Sequence, residues 1–225
     1  MPRRLCEPPR NDKEKKEDFI LKKKGLFITF EGADGSGKST QLKMAAEFFQ
    51  NKGYEVITTR DPGGTPLGQK IREILLHHDG KVASYCELFL YLADRAQHVE
   101  EIIVPAIEEG KVILCDRYID SSVAYQGYAR GLDIDEISML NNIVTKSLVP
   151  NLTFVFDVST EVAEQRVGET KDRLESEAKE FHQKVRFGFL DLAKKFPDRI
   201  KVIDANQEIE KVHSDVIKIL ENHLL

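Results

Sequence analysis

The chain has 225 residues, with 33 Lys or Arg against 38 Asp or Glu and a formal net charge of −5. That length suits one α/β domain with a real core, and the mixed, mildly acidic charge argues against a dedicated nucleic-acid binder. No apolar run reaches the roughly 20 residues of a membrane span. The N-terminus has no apolar signal core, and Cys6, Cys86 and Cys115 form no CxxC pair, so a reducing cytoplasm is the expected setting.

Residues 1–24, with Lys13-Glu14-Lys15-Lys16-Glu17 and Lys22-Lys23-Lys24, read as a flexible charged extension. Short apolar runs then alternate with helical patterns. Strands are predicted at 26–30, 54–59, 112–115, 152–156 and 200–203. Helices are predicted over 38–52, 66–77, 84–109, 133–147, 160–167, 176–195 and 207–224, and Asp61-Pro62-Gly63-Gly64 is a loop. This alternation predicts an α/β fold, a five-stranded parallel sheet flanked by helices. Ligands of such sheets sit at the carboxyl ends of the strands.

The run Gly32-Ala33-Asp34-Gly35-Ser36-Gly37-Lys38-Ser39-Thr40 has P-loop spacing and lies between a strand and a helix, the context that motif requires. Its glycines let backbone N–H groups converge on phosphate oxygens, and the following helix turns its positive end to the same anion. Lys38 is expected at the β- and γ-phosphates of ATP, and Ser39 on Mg²⁺. Asp116, closing an apolar strand and followed by Arg117, is the favoured second metal carboxylate, with Asp157 as competitor. No Asn-Lys-x-Asp motif supports a guanine-reading switch.

Four segments together resemble the thymidylate kinase family. They are Phe30 to Thr40, Thr59-Arg60-Asp61-Pro62-Gly63-Gly64-Thr65, Asp94-Arg95, and Asp116-Arg117-Tyr118-Ile119-Asp120-Ser121-Ser122-Val123-Ala124-Tyr125-Gln126-Gly127. The resemblance covers about residues 25–215 and implies a homodimer that phosphorylates thymidine monophosphate (dTMP) with ATP and Mg²⁺. It implies that Asp34 accepts from the sugar 3′-hydroxyl and that Tyr91, where the family more often has Phe, stacks on thymine. It places Arg95, Ser122 and Gln126 at the base edge, Tyr125 against the 2′ position, and Arg117 and Arg60 at the acceptor phosphate. Asp61 stands where the family usually has Glu. Gly35 occupies a position where some members carry a P-loop arginine. Members without that arginine place catalytic arginines in a short mobile lid, here about 166–175, which makes Arg166 and Arg173 the candidates. No general base is needed, because the acceptor phosphate is already an anion. The rival readings are a kinase for another nucleoside monophosphate and a P-loop ATP-binding switch. The acceptor-side residues would have no job in the switch.

Overall fold

The computed structural model describes residues 25–166 and 172–224. The extension 1–24 and the central part of the expected lid, 167–171, lie outside the described residues.

Five strands form one parallel sheet: β1 (Leu26–Gly32), β2 (Val56–Arg60), β3 (Val112–Asp116), β4 (Leu152–Asp157) and β5 (Ile200–Asp204), in spatial order β2-β3-β1-β4-β5. The chain fills one side of β1 first and then crosses to the other. The order therefore reverses beside β1, where α/β sheets open a crevice. The strands are apolar along most of their length because both faces are covered. Ile28, Phe30, Leu114, Phe154 and Phe156 point to one face, against Leu42, Ala45 and Phe49 of α1 (Lys38–Asn51) and Val216 and Leu220 of α9 (Ile209–Leu224). On the other face Phe27, Ile113 and Cys115 pack with Val99, Ile103 and Tyr118. Val155 and Ile200 meet Leu88 and Leu92 of α3 (Ser84–His98) and Val185, Phe189 and Leu192 of α8 (Lys179–Lys195).

Helix α2 (Pro66–His77) starts where the sequence dictates: the Thr65 hydroxyl accepts from the Gly68 N–H at 2.9 Å, and Pro66 takes the first helical position. The pattern over 84–109 resolves into α3, a π-helical turn (Val99–Ile103) and α4 (Val104–Glu108). Pro105 has no N–H to give the preceding turn, and the wider π turn fits around that missing bond. Residues 119–129, for which no element was predicted, form α5 (Ile119–Ser122) running into a second π-helical segment, Val123–Ala129. Asp133 caps α6 (Ile134–Thr145) through the Glu136 N–H. The remaining helix, α7 (Thr160–Arg166), follows β4.

Candidate active site

The loop after β1 turns through left-handed backbone at Gly35 and Gly37, with φ of 76° and 89°. A Cβ on Gly35 would stand 2.4 Å from the Ala163 carbonyl oxygen of α7, so an arginine there would require that helix to move. Lys38 opens α1 and is almost wholly buried; its ammonium donates to the Ala33 carbonyl at 2.9 Å and lies 3.7 Å from Asp34. Burial, and next the Arg117 charge, press its pKa below the usual lysine value. An arriving phosphate would favour the charged form. The Ser36 hydroxyl is buried in the loop with no partner among the described residues.

Arg117 follows β3 with φ of 70°, an uncommon left-handed conformation for a side chain of this size. Its guanidinium donates to Asp34 at 2.7 Å and to the Ser121 hydroxyl at 3.3 Å, and it lies 5.1 Å from the centre of the Tyr125 ring. Burial would raise the Asp34 pKa, but Arg117 and Lys38 outweigh it and hold the carboxylate ionised.

Two cavities meet at this pair. One, about 1030 Å³ and open to solvent, is lined by Gly35, Gly37, Lys38, Ser39, Thr40, Arg60, Asp116 and Arg166. The other, about 490 Å³, is lined by Tyr91, Arg95, Ser121, Ser122, Tyr125 and Gln126, with Pro62, Leu76 and Leu174 as apolar wall. Asp34, Asp61, Arg72 and Arg117 line both. A third opening runs from Gly37 and Thr40 past Arg166 to Asn206 and Gln207. Gly32 and Ala33 back onto β4 at Phe156.

Ser122, Gln126 and Arg95 share the second cavity, but not as loose side chains. Arg95 is 1% exposed. It donates twice to Asp61, both at 2.9 Å, and also to Ser122, Asn141 and the Tyr118 carbonyl. All five of its N–H donors are engaged. The amide NH₂ of Gln126 donates to Glu87 at 2.9 Å, which leaves the carbonyl oxygen for a ligand. Tyr91 and Tyr125 are buried, and burial lifts both phenol pKa values, so both rings are neutral.

The two lid arginines separate. Arg166 ends α7 beside the P-loop cavity and donates to the Ala205 carbonyl at 3.0 Å. Arg173 donates to the Leu75 carbonyl at 2.8 Å and pairs with Glu87 at 2.7 Å, away from the P-loop. Glu87 also pairs with Arg130 at 3.2 Å and accepts from Gln126, so one buried carboxylate ties α3 to the second π-helical segment, the residue after it and the chain beyond residue 171. Sequence reasoning passed over Arg72, Glu87 and Asn141. Arg72, whose guanidinium donates to the Pro62 carbonyl at 3.1 Å, belongs to no motif and is brought to the site by packing of α2.

A thymidylate kinase family model matches residues 30–216. The chain belongs to the thymidylate kinase family. It is 48% identical over 202 residues to a thymidylate kinase of Thermoanaerobacter sp. (strain X514), covering 89% of this chain and all of that one. It is 47% identical over 209 residues to one of Protochlamydia amoebophila (strain UWE25), covering 88% and 93%. The crystal structure of thymidylate kinase from Ehrlichia chaffeensis superposes with a TM-score of 0.72 at 39% identity, covering 87% of this chain and 98% of that one. Within this thymidylate kinase fold, Asp61 makes the two-pronged pair with Arg95 directly after the end of β2.

Proposed function

We propose that the chain transfers the γ-phosphoryl group of ATP to dTMP, giving dTDP and ADP for dTTP synthesis. The observation that carries this reading is the shared wall of Asp34, Asp61, Arg72 and Arg117 between the P-loop cavity and the tyrosine-lined cavity. A donor phosphate cradled at Lys38 and an acceptor phosphate held by Arg117 and Arg72 would face each other across it. The acceptor oxyanion is the nucleophile, so alignment and charge neutralisation suffice. Arg117 and Arg72 hold the acceptor, with Arg60 at the rim. Lys38 and Arg166 meet the charge on the transferring group. Arg166 is preferred over Arg173 because Arg173 is engaged by Glu87. The opening past Arg166 toward Asn206 leaves room for the nucleoside end of ATP.

The base cavity supports thymine. With its NH₂ held by Glu87, Gln126 presents a carbonyl oxygen that can accept from an N3–H. Cytosine carries no hydrogen there. Ser122, oriented by Arg95, meets the base edge, Tyr91 stacks and Tyr125 closes the sugar side. The 3′-hydroxyl would donate to Asp34, whose carboxylate is kept ionised.

A divalent cation such as Mg²⁺ fits at Ser39 and Asp116. The Ser39 hydroxyl lies 3.3 Å from one oxygen of Asp116, and the other oxygen is buried without a partner among the described residues. Oxygen donors of this kind, completed by phosphates and water, suit Mg²⁺, which would neutralise phosphate charge when bound. Asp157 is instead paired with Arg186 at 2.5 and 2.9 Å.

We also read the chain as a cytoplasmic homodimer in one kinase domain with a short lid near 166–175. Exposed Tyr85 and Phe89 on α3, and Met139 and Ile143 on α6, give an apolar surface consistent with that. Sedimentation of wild-type protein and of Phe89→Asp tests it: a dimer that the substitution dissociates supports the reading, and a wild-type monomer ends it. For the activity, ADP release is followed with ATP and Mg²⁺ against a panel of nucleoside monophosphates. Strong preference for dTMP is expected. Preference for another base would keep the kinase and overturn the base site. Absence of acceptor-dependent release from folded, ATP-binding protein would favour a switch.

A further inference from the structure

We propose that Glu31 is a positioning residue for Arg117: its buried carboxyl group clamps the turn after β3 so that the guanidinium faces the acceptor phosphate. This rests on the kinase reading above, in which Arg117 holds that phosphate. Glu31 is fully buried on β1, one residue before the P-loop. One of its oxygens accepts the Tyr118 backbone N–H at 2.8 Å. The other accepts the Ser121 hydroxyl at 2.6 Å, and that hydroxyl in turn accepts from Arg117 at 3.3 Å. Glu31 thus grips the peptide directly after Arg117 and, through Ser121, the end of its side chain.

Arg117 needs such a grip. A left-handed conformation costs an ordinary residue on the order of 1–2 kcal/mol and persists only where the surroundings enforce it. The Arg117 N–H donates to the Phe30 carbonyl at 3.0 Å, which fixes one side of the residue. Glu31 fixes the other. Behind Glu31 the wall is rigid: Asp120 is gripped by Arg199 at 2.7 and 2.8 Å, and the Thr29 and Thr153 hydroxyls meet at 2.7 Å. No ligand cavity described above includes Glu31 in its lining. Its effect must therefore pass through Arg117, Tyr118 and Ser121.

The test uses Glu31→Gln, Ser121→Ala and the double variant of the full chain, with KM and kcat measured separately for ATP and dTMP. Glu31→Gln retains an acceptor for Tyr118 but turns the second oxygen into an NH₂ that cannot accept from Ser121. Each single variant should lower kcat/KM for dTMP about tenfold, the cost of one lost buried hydrogen bond, while KM for ATP changes less than about twofold. Because both residues act along one chain of bonds, the double variant should be no worse than about twofold below the poorer single one. Equal losses toward ATP and dTMP would mean general distortion of the P-loop and would overturn the proposal. So would effects that multiply independently, or variants that lose melting temperature alone. Should Glu31→Gln not fold, Ser121→Ala carries the same ATP-against-dTMP comparison. Wild-type protein inactive toward every nucleoside monophosphate would remove the kinase reading. The ¹⁵N relaxation of the Arg117 side-chain Nε–H would still decide the clamp: increased mobility in Glu31→Gln supports it, and unchanged order refutes it.

Discussion

Arg95 fulfils all five of its donor bonds inside the protein, two of them to a carboxylate as buried as itself. Burial disfavours the Asp61 charge, yet Arg95 holds its pKa below the ordinary value. Removing one member of such a pair strands the other, which typically costs ~3–5 kcal/mol. Arg95→Ala is therefore expected to lose about that much stability in denaturant unfolding, as well as dTMP affinity. Loss of affinity at full stability would mean that Arg95 serves the ligand alone. Arg173 calls for the same treatment, because its partner Glu87 keeps Arg130 when Arg173 is gone. Arg173→Ala should cost about 1–2 kcal/mol in stability, whereas Arg166→Ala should lower kcat by about tenfold or more with little change in melting. A kcat loss confined to Arg173→Ala would exchange the two roles. Motif spacing made the P-loop legible, and the end of an apolar strand singled out Asp116 and Arg117, which line the same cavity. Nothing local marks Arg72, and nothing local tells Arg173 from Arg166. The direction of each is set by elements distant in sequence: Leu75 and Glu87 for one, Ala205 for the other.

At the scale of elements, the close approach of α2 and α3 depends on Gly68. A methyl group there would lie 2.1 Å from a carboxylate oxygen of Asp94, which accepts the Gly63 N–H at 3.0 Å and so anchors the Pro62-Gly63-Gly64 loop. Helix propensity alone would favour alanine by up to ~1 kcal/mol. Overpacking a fixed neighbour costs about 1–3 kcal/mol, and Asp94 cannot yield without releasing the loop. Gly68→Ala should therefore melt lower by about 1–2 kcal/mol and weaken dTMP binding. A stabilised variant with normal affinity would show that the helices part freely. The strands and most helices could be read from periodicity, since burial on both faces leaves near-continuous apolar runs such as Leu152 to Phe156. The π-helical segments could not. A π turn has no composition of its own, and residues 119–129 carry a polar, site-building sequence that interrupts the helical stripe.

At the scale of the whole molecule, five carboxylates among the described residues fall into two groups with opposite effects on stability. Burial, and next the nearby Asp120, push Glu31 up to about 8 from its ordinary 4.5. Burial and Asp61 push Asp94 up to about 6 from 3.8. For both, the unfolded chain releases its proton first, so their contribution is complete below the unfolded pKa and is lost as pH climbs to the folded value. Asp34, Asp61 and Glu87 behave in the opposite sense. Although burial alone would raise them, Arg117, Arg95 and Arg130 with their hydrogen bonds hold them low, so their contribution is present above the unfolded pKa and is lost as pH falls. Ligand-free protein should then melt progressively higher as pH drops from about 8 to about 5, with Glu31 contributing about 1.4 kcal/mol per pH unit at most, and should lose stability steeply below about pH 4. Glu31→Gln, which has no proton to release there, should flatten the upper limb and leave the acid limb unchanged. Calorimetry over that range decides the matter. A wild-type melting temperature that is level or rising between pH 5 and 8 would show that Glu31 is ionised in the native state. The loop beneath Arg117 would then be held by a full charge, matched by Arg117 and the charges around it.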